Sequence, residues 1–117
     1  MFVMAIESYR KLTVWQQSFD LVKDIYELTS DMPKDEQFGL ISQMRRCAIS
    51  IPSNIAEGQQ RNNAKEYRQF LGIARGSAAE LSTQLLLVQG LYKKDVTKLL
   101  ESTESIQKML FALLLKL

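Results

Sequence analysis

Apolar residues recur at spacings of four and three along nearly the whole chain, a period that a helix satisfies and a strand does not. Val14, Ser18, Leu21, Ile25, Leu28 and Met32 make the first run, which Pro33 closes. Leu40, Met44, Cys47, Ala48, Ile51, Ile55 and Gly58 make the second. Tyr67, Leu71, Ala74, Ala78, Leu81, Leu85 and Val88 hold a heptad through the third. Val96, Leu99, Thr103, Ile106, Leu110, Leu113 and Leu117 repeat the rhythm in the fourth. Short connections at 32–35, 59–63 and 91–95 make successive helices antiparallel neighbours. The expected fold is therefore all-α, an antiparallel up-down-up-down four-helix bundle with helices near 13–32, 35–59, 63–91 and 95–116. Residues 1–12 read as an N-terminal extension, and residues 1–117 as a single domain.

Local signals mark the helix ends. Thr13 with Gln16, and Asn63 with Glu66, have the spacing of capping boxes, and Asp95 can cap the fourth helix. Gly90 or the Lys93–Lys94 pair ends the third. Pro52 goes against the pattern: it removes a backbone donor and crowds the Ala48 carbonyl, yet the apolar stripe continues through Ile51 and Ile55. A continuous second helix kinked at Pro52 reconciles the two. Arg46, Ser50, Ser53, Asn54 and Glu57 share a side there, as a polar network around the bend or a polar notch. Glu57 also stands four residues before Arg61, the favourable order for an ion pair.

Catalytic chemistry has little to work with. Histidine is absent, which excludes histidine general acid–base catalysis and histidine-dependent triads. The lone Cys47 permits no intrachain disulfide or cysteine-pair metal site, and its apolar stripe suits a buried, inert thiol. Glu57 and Glu80, the acids with the smallest or most apolar neighbours, read as structural partners for arginine. Gly72 and Gly76 lie inside a helix instead of following a strand, so they suit close helix packing better than a phosphate loop. No catalytic residue, metal or cofactor is expected, and the chain is not expected to be an enzyme. The apolar ends MFVMAI and LFALLLKL are too short to span a bilayer, which points to the cytoplasm and to no membrane partner.

Binding surfaces are more legible. The net charge of +2 hides a segregation: residues 20–36 hold six acids against Lys23 and Lys34, and residues 45–75 hold six bases against Glu57 and Glu66. Two oppositely charged faces could attract one another within the fold or an oligomer, or the basic face could take an anionic partner. Arg61, Lys65, Arg68 and Arg75 project from one side of the third helix, a candidate surface for RNA or DNA phosphates. Aromatic stacking positions are missing from that stripe apart from Tyr67, which argues against sequence-specific single-strand recognition. Trp15, Phe19, Val22 and Tyr26 form a second apolar stripe on the first helix, suited to an oligomer contact or to a wide core face shared with Phe38, Ile41 and Ile49.

The run RRCAISIPSNIAEG, followed by Tyr67, Phe70, Leu71 and ARGSAAELSTQL, resembles the bacterial four-helix-bundle proteins encoded in intervening sequences of 23S rRNA genes. YRKLTVWQQSFDLVKDIY is similar to the first helix of that family, so the resemblance covers residues 9–117. It implies a homopentamer with bundles arranged in a ring, and it tips the aromatic stripe toward assembly. The family is similar in turn to the accessory variability protein of diversity-generating retroelements, a basic pentameric bundle that associates with a reverse transcriptase and nucleic acid. The expectation is a non-enzymatic oligomeric adaptor or scaffold holding nucleic acid electrostatically. The alternative is a protein–protein interaction module whose basic stripe is only solvated.

Overall fold

Four amphipathic stripes bury one another in the computed structural model, which describes residues 7–117; MFVMAI lies outside the described residues. The chain runs α1 (Thr13–Ser30), α2 (Leu40–Gln59), α3 (Ala64–Tyr92) and α4 (Thr97–Leu115), with single 3-10 turns at Ser8–Lys11 and Lys34–Glu36. No strand occurs among the described residues. Helix α1 packs against α2 and α4, α3 packs against the same two, and the backbones of the diagonal pairs stay more than 8 Å apart between Cα atoms. That closed square is a four-helix bundle, drawn out to 54 × 23 × 19 Å. No described helix is long and apolar enough to cross a membrane.

The core follows the four-three pattern closely. Leu21, Ile25, Met44, Ile51, Ile55, Leu71, Leu81, Leu85, Ile106 and Leu110 are all essentially inaccessible to solvent. Burying each such side chain contributes about 1.5–3 kcal/mol, so the bundle rests mainly on these contacts. Ser18 and Thr103 sit in the apolar stripes and return their hydroxyl protons to the backbone, at Trp15 O (2.8 Å) and Leu100 O (2.8 Å). Gln84 is the exception: it is buried on α3, and its Oε1 accepts no hydrogen bond among the described residues.

The helix ends differ from expectation at the starts of α1, α2 and α4. Thr13 does not cap α1; Leu12 holds the cap position in extended backbone, and the Gln16 amide donates to Arg10 O (2.8 Å) in the preceding turn. The 3-10 turn at Ser8–Lys11 already directs the chain into α1, so the capping box has no end to close. Helix α2 starts at Leu40 and not near Asp35, because Gly39 leaves helical backbone and the Glu36 carboxylate accepts from Leu40 N (3.3 Å). Tyr92 Oη donates to the other Glu36 oxygen and ties that loop to the end of α3.

Asn63 and Lys93 take their expected places. Asn63 Oδ1 accepts from Glu66 N (2.8 Å) at the start of α3. Val96 and not Asp95 holds the cap position of α4; Asp95 stands one residue earlier, where its Oδ1 accepts from Thr97 N (3.0 Å) and Thr97 Oγ1 (2.7 Å). Lys93, in left-handed backbone at φ 55°, ends α3. Pro52 is buried inside an uninterrupted α2, where Asn54 Nδ2 donates to Ser50 O (2.8 Å) and Ser50 Oγ (2.9 Å).

Candidate functional site

Three surfaces carry the residues singled out above. The first is the outer side of α3, where Arg61, Lys65, Arg68 and Arg75 are all exposed. They are not equivalent. Arg61, just ahead of the helix, is held by Glu57 Oε2 (2.9 Å) and lies 4.8 Å from the Phe70 ring centroid. The ion pair is itself exposed and contributes little to stability, but it takes up part of that charge. Arg75 leans toward α4, with its guanidinium 4.9 Å from the Phe111 ring centroid. Lys65 and Arg68 make no hydrogen bond or ion pair among the described residues and point their charge into solvent.

Along the same side, Gly72, Arg75, Gly76 and Ala79 line a shallow trough with Gln107 of α4. A Cβ placed on Gly72 or Gly76 would meet nothing within 4 Å. The close helix packing read from these glycines is therefore not made inside the chain. Gly58 makes that approach instead: a Cβ there would lie 2.7 Å from Phe70 Cβ and 3.1 Å from the Tyr67 ring.

The second surface divides the aromatic stripe of α1. Trp15 packs against Phe19 (5.2 Å between ring centroids) and against Tyr9 (5.3 Å) from the turn before the helix. With Val22 they form one wall of an apolar groove of about 360 Å³, whose opposite wall is Ile49, Pro52, Ser53 and Ala56 of α2. Phe19 stays 48% exposed and Ile49 42%, so the bundle leaves the groove open. Tyr26 is not part of it. Arg45 crosses from α2, stacks 4.3 Å above the Tyr26 ring and donates through Nε to Thr29 Oγ1 (2.8 Å). Phe38 is 90% exposed and shares no core face with this stripe.

The third surface is a polar notch of about 450 Å³ between α2 and α3, lined by Gln43, Arg46, Cys47, Ser50, Ser77 and Glu80. Ser50 Oγ and Ser77 Oγ lie 2.9 Å apart across it. Arg46, Ser50 and Asn54 thus gather as the helical wheel suggests, but Ser53 turns into the apolar groove and Glu57 turns to Arg61. Glu80 has no arginine partner, contrary to the reading from sequence; its carboxylate accepts from the Cys47 thiol (3.4 Å). Cys47 Sγ also lies 2.9 Å from Ser77 O. Burial and the neighbouring Glu80 carboxylate push the thiol up to about 12, so it stays protonated and unreactive at neutral pH. Ser77 and Gln43 escaped notice because nothing local marks them; only the α2–α3 contact makes them neighbours of Arg46.

Among the described residues no group of three or more histidine, cysteine, aspartate or glutamate side chains could hold a metal ion. Nor does any ion pair join the acidic residues of α1 to the basic residues of α2 and α3; Lys23–Asp20 and Arg61–Glu57 both lie within a local segment. The segregated charge is thus left unneutralised inside the described chain.

The family of the 23S rRNA-intervening sequence protein matches residues 10–112. The chain belongs to this family. The matched span runs from the turn before α1 nearly to the end of α4 and takes in the α3 stripe, the notch and all of the groove except Tyr9. Among curated proteins none matches the chain. The match to the 23S rRNA-intervening sequence family thus takes in part or all of each of the four helices.

Proposed function

We propose that this protein is a non-enzymatic, cytoplasmic adaptor that assembles into a ring, most simply a pentamer, and holds nucleic acid through its phosphates. The observation that carries this reading is the outer side of α3, where Lys65 and Arg68 are exposed and make no ion pair or hydrogen bond among the described residues. The open backbone at Gly72 and Gly76 lets a phosphodiester chain approach closely. A few such charges on a monomer bind weakly, but repeated around a ring they bind as one, because linked sites raise the local concentration of each other. The apolar groove at Trp15, Phe19 and Val22 is the contact proposed for the ring, and the Pro52 bend is proposed to shape its α2 wall. In this reading the bundle runs up-down-up-down, as its short connections favour.

Fluorescence anisotropy of labelled structured RNA and of duplex DNA, titrated at several salt concentrations, tests the proposal. The expected result is saturable binding with log K falling linearly in log salt, by about 0.9 per duplex phosphate engaged. Lys65→Glu with Arg68→Glu should remove that binding and leave the solution mass unchanged. Absence of binding at low salt would refute the nucleic-acid reading. It would leave the protein-interaction reading, which the open apolar groove favours.

A further inference from the structure

The notch between α2 and α3 shares no lining residue with the outer side of α3 or with the apolar groove, and its chemistry differs from both. Opposite charges stand on its two walls, Arg46 on α2 and Glu80 on α3, and they form no ion pair with each other. Its lining is polar, while the groove beside Trp15 is apolar. Between the charges lie the two serine hydroxyls, 2.9 Å apart.

Counting hydrogens across that pair leaves one over. Asn54 Nδ2 donates to Ser50 Oγ (2.9 Å), so it supplies a hydrogen and consumes none. Ser50 and Ser77 share one hydroxyl proton in their mutual bond, whichever of them donates it. The second hydroxyl proton has no acceptor among the described residues. The notch therefore offers a guanidinium and a free O–H to an anion, and a carboxylate to a cation. The Cys47 S–H, which faces both Ser77 O (2.9 Å) and Glu80 Oε2 (3.4 Å), lies at the base of that carboxylate. A lone phosphate would meet Glu80 with like charge, and a lone cation would meet Arg46. A ligand bearing both charges satisfies both walls.

We propose that this notch binds a small zwitterion of the α-amino-acid type, its carboxylate on Arg46 and the spare serine hydroxyl and its ammonium on Glu80. Its volume of about 450 Å³ lies in the range of small-molecule sites and leaves room for a side chain directed to solvent. The site binds without reacting, since the one thiol in it stays protonated.

Isothermal titration calorimetry of the full chain against free L-alanine, L-leucine, L-glutamine and L-serine tests the proposal, with the N-acetyl and C-terminal amide forms of each as controls. At least one free amino acid should bind saturably, and removing either charge should weaken it by about tenfold or more, as loss of a charge-assisted bond does. Arg46→Gln should weaken the free amino acid and leave the affinity of the amide form unchanged; Glu80→Gln should do the same with respect to the N-acetyl form. Both side chains are exposed, so thermal melts of the two variants should match the parent. The proposal is overturned if no free amino acid binds up to millimolar concentration. It is equally overturned if capped and free forms bind alike, or if both variants keep full affinity.

Discussion

At the scale of single residues, two ends of α3 and α4 show how local backbone chemistry sets stability. Lys93 carries a side chain in left-handed backbone where glycine would sit without strain. Lys93→Gly should stabilise the protein by about 1 kcal/mol, read from urea unfolding, because relief of that strain outweighs the looser unfolded chain. Asp95 is held below the usual carboxylate range by its hydrogen bonds from Thr97 Oγ1 and N. A lowered folded-state value means that these bonds, which brace the start of α4 as a cap would, contribute fully above the ordinary aspartate pKa and are lost as pH falls through the lower one. Stability measured from pH 5 to pH 2 should therefore drop less steeply in Asp95→Ala than in the parent. Equal slopes would show that these bonds do not report on acid unfolding.

At the scale of elements, the glycines separate two kinds of helix surface. Gly58 lets α2 touch α3 at Phe70 and Tyr67, so Gly58→Ala should cost about 1–3 kcal/mol through overpacking. Gly72 and Gly76 face open space, where alanine is the better helix former by about 0.8–1 kcal/mol per position. Gly72→Ala and Gly76→Ala should thus raise the melting temperature, the reverse of Gly58→Ala. A fall in all three would mean that the outer side of α3 is packed in solution. Arg45 belongs to this scale too. It stacks on Tyr26 and bonds Thr29, joining α2 to α1, while Arg46, about 100° round the helix, faces the notch.

At the scale of the molecule, the open groove at Trp15, Phe19 and Ile49 is an apolar surface that the bundle does not cover. Phe19→Asp with Ile49→Asp should leave the helical circular dichroism intact, since both side chains are already half exposed. It should also lower the solution mass to that of a monomer in light scattering. An unchanged mass would refute the groove as the contact of the proposed ring. The uncompensated charge of α1 and α3 belongs here as well: with no ion pair between them inside the described chain, salt should affect the proposed association more than folding.

The four helices and their buried faces were legible in the sequence, because a period of four and three is a property of one helix and needs no partner to be read. Ser18 and Thr103 could be placed inside on spacing alone, and Asn63 at its helix end on local chemistry. The sites were legible only in part, because each depends on two elements meeting. The wheel put Arg46, Ser50 and Ser53 together, but the facing helices decided that Ser53 would line an apolar groove and Arg46 a polar notch. Glu80 looked like a partner for arginine until α2 brought Cys47 to it. Periodicity specifies which side of a helix is buried; only the packing of one helix on another decides which polar groups become neighbours.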